Sequence, residues 1–340
     1  MRNRFLASIS ALALAIAMAS IAARPATAQT TAALAKGNAS SAKNWTPPKT
    51  PDGQPDLQGL WTNATMTPLE RPRALGDKAF FTEQERTESE KHILQEVSTD
   101  RRDGPAEVDV NRSYNELWRE RGHLLLRTSL IVDPPDGRLP PLTPEAQARE
   151  KARAADRRRT GPDGSEPWTA YNLAVRCVTR GAPKLPGGYN NNFQIVQTRD
   201  SVVIMQEMIH EVRVIHLDGS PHVDPNVRLW MGDSRGHWEG DTLVVDIANF
   251  NDKIVDNSFN CCPGAGSHLH VVERFRRTDA EHIDYRYTVD DPTTYTRPWT
   301  AEVPMTRVEG PLYEYACHEG NYAMPDMLAG ARKKEAASKK

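Results

Sequence analysis

The chain has 340 residues, with 43 basic and 45 acidic side chains, a net charge of −2 and four cysteines. So even a balance gives no electrostatic footprint for nucleic acid or an anionic membrane surface. The Gly-x-Ser-x-Gly, Gly-x-Gly-x-x-Gly, P-loop, His-Glu-x-x-His and Cys-x-x-Cys patterns are all missing, which argues against serine-hydrolase chemistry and nucleotide cofactors, and no cofactor is expected.

The N-terminus reads as a secretory signal peptide over residues 1–28. Arg2 and Arg4 precede an apolar run from Phe5 to Ala23, and Ala26-Thr27-Ala28 forms a small-x-small cleavage site. The competing reading is a membrane anchor. The apolar run sits near the lower length limit for a span, and the Ala-x-Ala ending favours cleavage. Cleavage near Ala28 would deliver the chain to a periplasm or beyond. No later segment is long and apolar enough to span a bilayer.

Residues 29–55 are rich in Ala, Ser, Pro and Lys and read as a flexible leader. One domain is expected over 56–323. Its first strand is Asp56–Thr62, containing Leu-Gln-Gly-Leu-Trp-Thr. A polar, mostly helical insertion is expected over about 67–180. Thr82 with Glu85 makes a capping box for a charged helix to about Val97. Thr143-Pro144-Glu145 starts a basic helix running to about Arg159. Between them Arg127–Val132 reads as a strand, and a third helix is expected over Pro167–Cys177. The helices are too charged to form a core alone, so they should lie outside the barrel or over one mouth.

From Gly187 onward the pattern becomes β. Strands are expected at Phe193–Gln197, Ser201–Glu207, Glu211–Leu217, Thr242–Ile247, His270–Arg276, Ile283–Val289, Thr296–Met305 and Pro311–Cys317, separated by hairpin turns. Enough strands are present to close a barrel, a shape that commonly encloses a small molecule. Residues 324–340 read as a frayed C-terminal helix.

Adjacent Cys261 and Cys262 are expected not to bond each other, which favours a Cys177–Cys317 bridge. Four cysteines allow three connectivities, and the sequence does not select among them.

Several segments carry candidate chemistry. Glu207 and His210 form an acid/base pair, against the plainer reading of a polar strand face with one core histidine. Tyr189-Asn190-Asn191-Asn192 offers amides that could orient substrate oxygens, or simply a turn. Gly232–Trp238 reads as a loop in which Asp233 and Arg235 hold a site or brace the turn. Tyr315, His318 and Glu319 sit in a dense polar-aromatic cluster, with His318 and Glu319 suited to proton exchange near neutral pH. His268 and His270 would share one strand face, and a metal would need a third ligand such as His210, His237 or His318. No fixed-spacing motif supplies one, so no metal is expected.

The strings PDGQPDLQGLWT, RTSLIVDPPDGRLPPLT, YNNNFQIVQ, GDSRGHWEGDTLVVDIANF, DPTTYTRPWTAE and YEYACHEGNY, taken in order from about Thr50 to Arg332, resemble a large family of exported bacterial proteins from acidobacteria and proteobacteria. The β-part is similar to lipocalin-like barrels. The resemblance implies fold and export, and it transfers no catalytic residue. The Asn260-Cys261-Cys262-Pro263 loop departs from the plainer loop of that family.

Two functions follow as expectations. One is an exported enzyme using acid–base chemistry on a small hydroxylated or aromatic molecule: a lyase, hydratase, isomerase or hydrolase. His210, His318, Glu319 and Glu207 would exchange protons, and Tyr189, Asn191, Asn192, Asp233, Arg235 and Tyr315 would hold substrate. At least two of the proton-exchanging groups should then meet within hydrogen-bond reach. The other is a carrier of an apolar ligand, which requires a mainly apolar cavity. The amides and histidines favour the enzyme. Oligomeric state is not legible.

Overall fold

A computed structural model describes residues 45–101, 115–159, 171–256 and 261–338. The expected signal peptide and the first part of the leader fall outside these residues. So do residues 167–170 of the third expected helix.

The fold is mainly β, built around a closed barrel. Its strands are β1 (Gly59–Thr62), β3 (Asn192–Gln197), β4 (Ser201–Gln206), β5 (Val212–His216), β6 (Asp233–Glu239), β7 (Thr242–Ala248), β8 (His270–Arg277), β9 (His282–Asp290) and β11 (Met305–Arg307). They are hydrogen-bonded in that order, and β11 closes the ring by pairing with both β9 and β1. β2 (Ile131–Asp133) and β10 (Trp299–Glu302) extend the sheet from the far half of β9. Pairing is antiparallel except between β5 and β6, which meet in parallel at His216 and Arg235.

Alternation explains the closure. Along β8, Val271, Glu273, Phe275 and Arg277 are buried, while Arg274 and Arg276 are exposed. Along β9, Ile283, Tyr285, Tyr287 and Val289 are buried. A period of two places each set on one face of a strand, and closing the sheet turns that face inward. Trp61, Ile195, Val202, Ile215, Leu243 and Val245 join the same core. Gly236 permits the β5–β6 approach, since a Cβ there would lie 2.6 Å from the Ile215 side chain.

The segment between β1 and β3 carries α1 (Glu83–Val97) and α2 (Pro144–Arg159). The Thr82–Glu85 capping box of α1 is present in both directions. Thr143 Oγ1 accepts from the Ala146 backbone N–H, capping α2. α1 buries none of its residues, as its charged sequence requires. The chain ends with α3 (Ala323–Ser338). No helix of the described residues is long and apolar enough to cross a membrane.

Several boundaries differ from expectation. Pro311–Cys317 is irregular chain, not a strand, because it makes no ladder partner. Residues 171–177 form turns, with Cys177 at a positive φ of 54°, which ends any helix there. The Asp233–Trp238 stretch, expected as a loop, is the body of β6. Residues 45–55, the end of the expected leader, carry a Lys49–Pro55 bridge, and Trp45 faces the Arg277 guanidinium.

The Cys177–Cys317 disulfide is present. Cys261 and Cys262 are also bonded to each other, contrary to expectation, and both are fully buried.

Candidate functional site at the barrel mouth

The barrel interior is filled. The space enclosed among Phe193, Ile204, Gln206, Arg213, Glu273 and Tyr285 is about 20 Å³, room for about one water molecule. An ion pair occupies this core: Arg213 Nη1 lies 2.6 Å from Glu273 Oε2, and Tyr285 donates to Glu273 Oε1 at 2.6 Å. Burial is the main reason that the Tyr285 hydroxyl is held well above its ordinary range. The expected small-molecule chamber inside the barrel is therefore replaced by packed side chains and a buried charge pair.

A second space lies at one mouth. This cleft of about 420 Å³ is lined by Arg119, Arg180, Lys184, the 185–189 loop and Met208, a volume within the range of small-molecule sites. Lys184 lines both the cleft and the enclosed space below.

Three segments position the groups here. The first is the loop from Thr179 to Asn191. Asn191 is fully buried and holds the loop with its whole amide. Its Oδ1 accepts from Gly187 N at 2.7 Å and Lys184 Nζ at 3.2 Å, and its Nδ2 donates to Gly187 O and Glu120 O. Those four bonds exhaust the amide. Asn191 thus shapes the loop, and the expectation that it orients substrate is corrected. The neighbouring Asn190 sits at a positive φ of 52°, which Asn tolerates better than most residues.

The second segment is the corner between β4 and β5. β4 ends at Gln206 and β5 begins at Val212, each within one residue of the expected bounds. Residues Met208–His210 form a single 3-10 turn, with Ile209 at φ 63° and His210 at φ 44°. A β-branched residue in the left-handed region is a strained element, and buried Met208 and Ile209 anchor it. The corner resets the strand parity. It buries the Glu207 carboxyl, where Oε2 accepts from Asn192 Nδ2 at 2.9 Å. It turns the His210 ring outward, where Nδ1 lies 2.8 Å from Tyr315 O.

The third segment is the C-terminal strap, residues 311–322. The Cys177–Cys317 bridge ties it beside Thr179 and Arg180. His318 is exposed, with its ring 6.4 Å from that of His210. Glu319 is exposed and makes no hydrogen bond to the other three expected proton-exchanging groups. From the insertion, Arg119 stacks over Tyr189 at 5.9 Å, and Glu120 N donates to Gly188 O.

Electrostatics single out Lys184. It is 6 % exposed. Desolvation and the nearby Arg180 charge lower its pKa from 10.5 to about 7, against smaller opposing effects of Glu120 and Glu207. Burial and the Glu120 charge raise Glu207, while burial raises Glu211, whose Oε2 accepts from Arg180 N. Burial lowers Arg180. Acids pushed up and a lysine pushed down in one place are the arrangement expected where protons are exchanged near neutral pH.

The expected residues therefore divide. Tyr189 lines the cleft, Glu207 bonds Asn192 beside the cleft residue Met208, and His210 meets Tyr315 and His318. No side-chain hydrogen bond joins any two of Glu207, His210, His318 and Glu319 among the described residues, so these four do not form the expected proton-exchange pair. Asp233 and Arg235 lie elsewhere, on the outer face of β6. Asp233 Oδ2 accepts from Arg235 Nε at 3.0 Å and lies 2.8 Å from His222 Nδ1. His222 Nε2 lies 2.7 Å from Asp246 Oδ1, and His270 Nε2 lies 2.8 Å from Asp246 Oδ2. This chain of bonds pins the 218–223 loop against the sheet, so Asp233 and Arg235 are corrected from substrate-holding to bracing residues. His268 precedes β8, so it does not share a strand face with His270. No three His, Cys, Asp or Glu residues converge as metal ligands among the described residues.

Lys184, Arg180 and Arg119 were missed by sequence reading. The signal available was the Arg180-Gly-Ala-Pro-Lys184 run just before the triple Asn, but burial of a lysine depends on contacts from Phe193 and from Asn63, which is distant in the chain. Asn63 Nδ2 donates to Lys184 O, and the ammonium lies 5.5 Å from the Phe193 ring centre.

Compared with protein-family models, with curated proteins and with solved structures, the chain matches none.

Proposed function

We propose that the barrel mouth is the site of an acid–base enzyme, a lyase, isomerase, hydratase or hydrolase acting on a small, negatively charged, hydroxylated or aromatic molecule in the periplasm. The observation that carries this reading is Lys184, a buried amine lowered to about 7 on the wall of a 420 Å³ cleft. At neutral pH it divides between donor and acceptor forms, which is the condition for moving a proton either way.

Each neighbour has a role in this reading. Arg119 and Arg180 draw the anion in. Tyr189 offers a ring face to an aromatic substrate. Glu207, kept above the usual carboxylate range by burial, supplies the complementary proton carrier. Asn192 holds the Glu207 carboxylate. Tyr315, His210 and His318 form the rim.

A carrier of apolar ligands is the weaker reading, because the space enclosed among the described core residues Phe193, Ile204, Arg213 and Glu273 is about 20 Å³. The test is turnover. Small hydroxy acids and aromatic acids are incubated with the protein and followed by NMR. We expect conversion of at least one class, reduced ~100-fold or more by Lys184→Met or Glu207→Gln, and retained in Asp233→Asn. Conversion indifferent to both mouth variants, or a co-purifying apolar ligand with no conversion, would overturn the reading.

A further inference from the structure

Lys184 has a second property beyond its proton balance. Its ammonium has three donors, and the structure gives it one hydrogen-bond acceptor, the Asn191 amide oxygen at 3.2 Å. No carboxylate among the described residues lies within ion-pair distance of it. A lysine meant to hold structure by charge would have such a partner, because an unpaired buried ammonium is costly. Lys184 lines two spaces, the cleft and the enclosed pocket, and its ammonium lies 5.5 Å from the Phe193 ring centre. A lysine that borders a cleft with no carboxylate ion-paired to its amine is suited to covalent chemistry.

Resting on the reading of the mouth as an enzyme site, we propose that Lys184 forms an imine with a small anionic carbonyl compound, an aldehyde or ketone carrying a carboxylate. The amine nitrogen attacks the carbonyl carbon and a C–N bond forms. The carbonyl oxygen leaves as water, taking two protons that were on nitrogen. No electron is gained or lost. Arg119 and Arg180 face the substrate carboxylate, and Glu207 is placed to carry the proton that the departing oxygen needs. The resulting imine withdraws electrons from the neighbouring carbon, which is what a lyase or isomerase needs to break a C–H or C–C bond there.

The test uses glyoxylate, the smallest aldehyde with a carboxylate, and cyanoborohydride, which delivers hydride to an imine carbon and fixes it as a secondary amine. Wild-type protein is treated at pH 7.5 and mapped by peptide mass spectrometry. The expected result is one carboxymethyl group per chain on Lys184, formed ~10-fold or more faster than on the surface lysines, since its neutral fraction is far larger. Lys184→Arg keeps the positive charge and should leave only the slow surface background. In parallel, glycolate, which has the carboxylate but no carbonyl, is tested for protecting Lys184 from acetic anhydride. Glyoxylate labelling spread evenly over the lysines overturns the imine. If glycolate still protects Lys184 in that case, the imine falls and the acid–base site stands. If neither effect is seen, both readings fall.

Discussion

Lys184 and Glu207 are the residues where burial most changes the chemistry available, and each makes a stability prediction with a definite sign. Lys184 is lowered in the fold to about 7 from 10.5. Between those values the unfolded chain binds more protons, so stability rises with pH across that window and the cost of the buried charge is largest below it. Replacing Lys184 by Met should therefore raise stability by ~1–3 kcal/mol at pH 6. The gain should shrink as pH climbs toward 10, as read from urea midpoints. Glu207 has the opposite sign. Its folded pKa is raised, so its favourable contribution is present at low pH and lost as pH rises through the folded value. Glu207→Gln should stabilise by ~1 kcal/mol at pH 7 and have little effect near pH 4, measured as the shift in thermal midpoint. These shifts could not be read from residue order. Glu207 was visible as an acid near a histidine, but its burial follows from the strained turn at Ile209, which no pattern of hydrophobicity announces.

At the scale of elements, the mouth is assembled by a strap and a loop held at long range. The Cys177–Cys317 bridge closes a span of 140 residues, and the chain-entropy account gives such a bridge ~4–5 kcal/mol. Cys177→Ser with Cys317→Ser should lower stability by a few kcal/mol and raise hydrogen exchange across 311–322. The barrel strands should keep their protection. On the outer face, His222 joins Asp233 to Asp246. The Asp246 bond raises His270, and the bonds of Asp246 to His270 and His222 lower Asp246 itself. His222→Ala should free the 218–223 loop, seen as faster exchange there, without altering the mouth. The helices behaved as their caps foretold, because N-capping is a local matter of three or four residues. The 233–239 strand was misread because its Asp-Ser-Arg-Gly composition suits a turn. Its place in the sheet comes instead from pairing with the whole of β7, from Asp233 with Ala248 to Glu239 with Thr242.

Over the whole molecule, alternation made the barrel legible but not its contents. A period of two says which side chains turn inward. It does not say how far they fill the space they enclose. Arg213, Glu273 and Tyr285 each sit at an inward position of an ordinary strand, and only their convergence shows that the interior is a packed, charged core. Removing one partner should be severe: Glu273→Ala leaves a buried arginine without its counter-charge and should cost ~3–5 kcal/mol in urea unfolding. The proposed site therefore lies at the rim of the barrel and not inside it, where chain from the insertion, the β4–β5 corner and the strap meet. The most direct test of that placement is a crystal structure of the protein soaked with salicylate, a small aromatic hydroxy acid. The account predicts salicylate in the mouth cleft, its carboxylate toward Arg119 and Arg180 and its ring near Tyr189, within reach of Lys184. Salicylate inside the barrel, against the His222 network, or bound nowhere on the chain would contradict it.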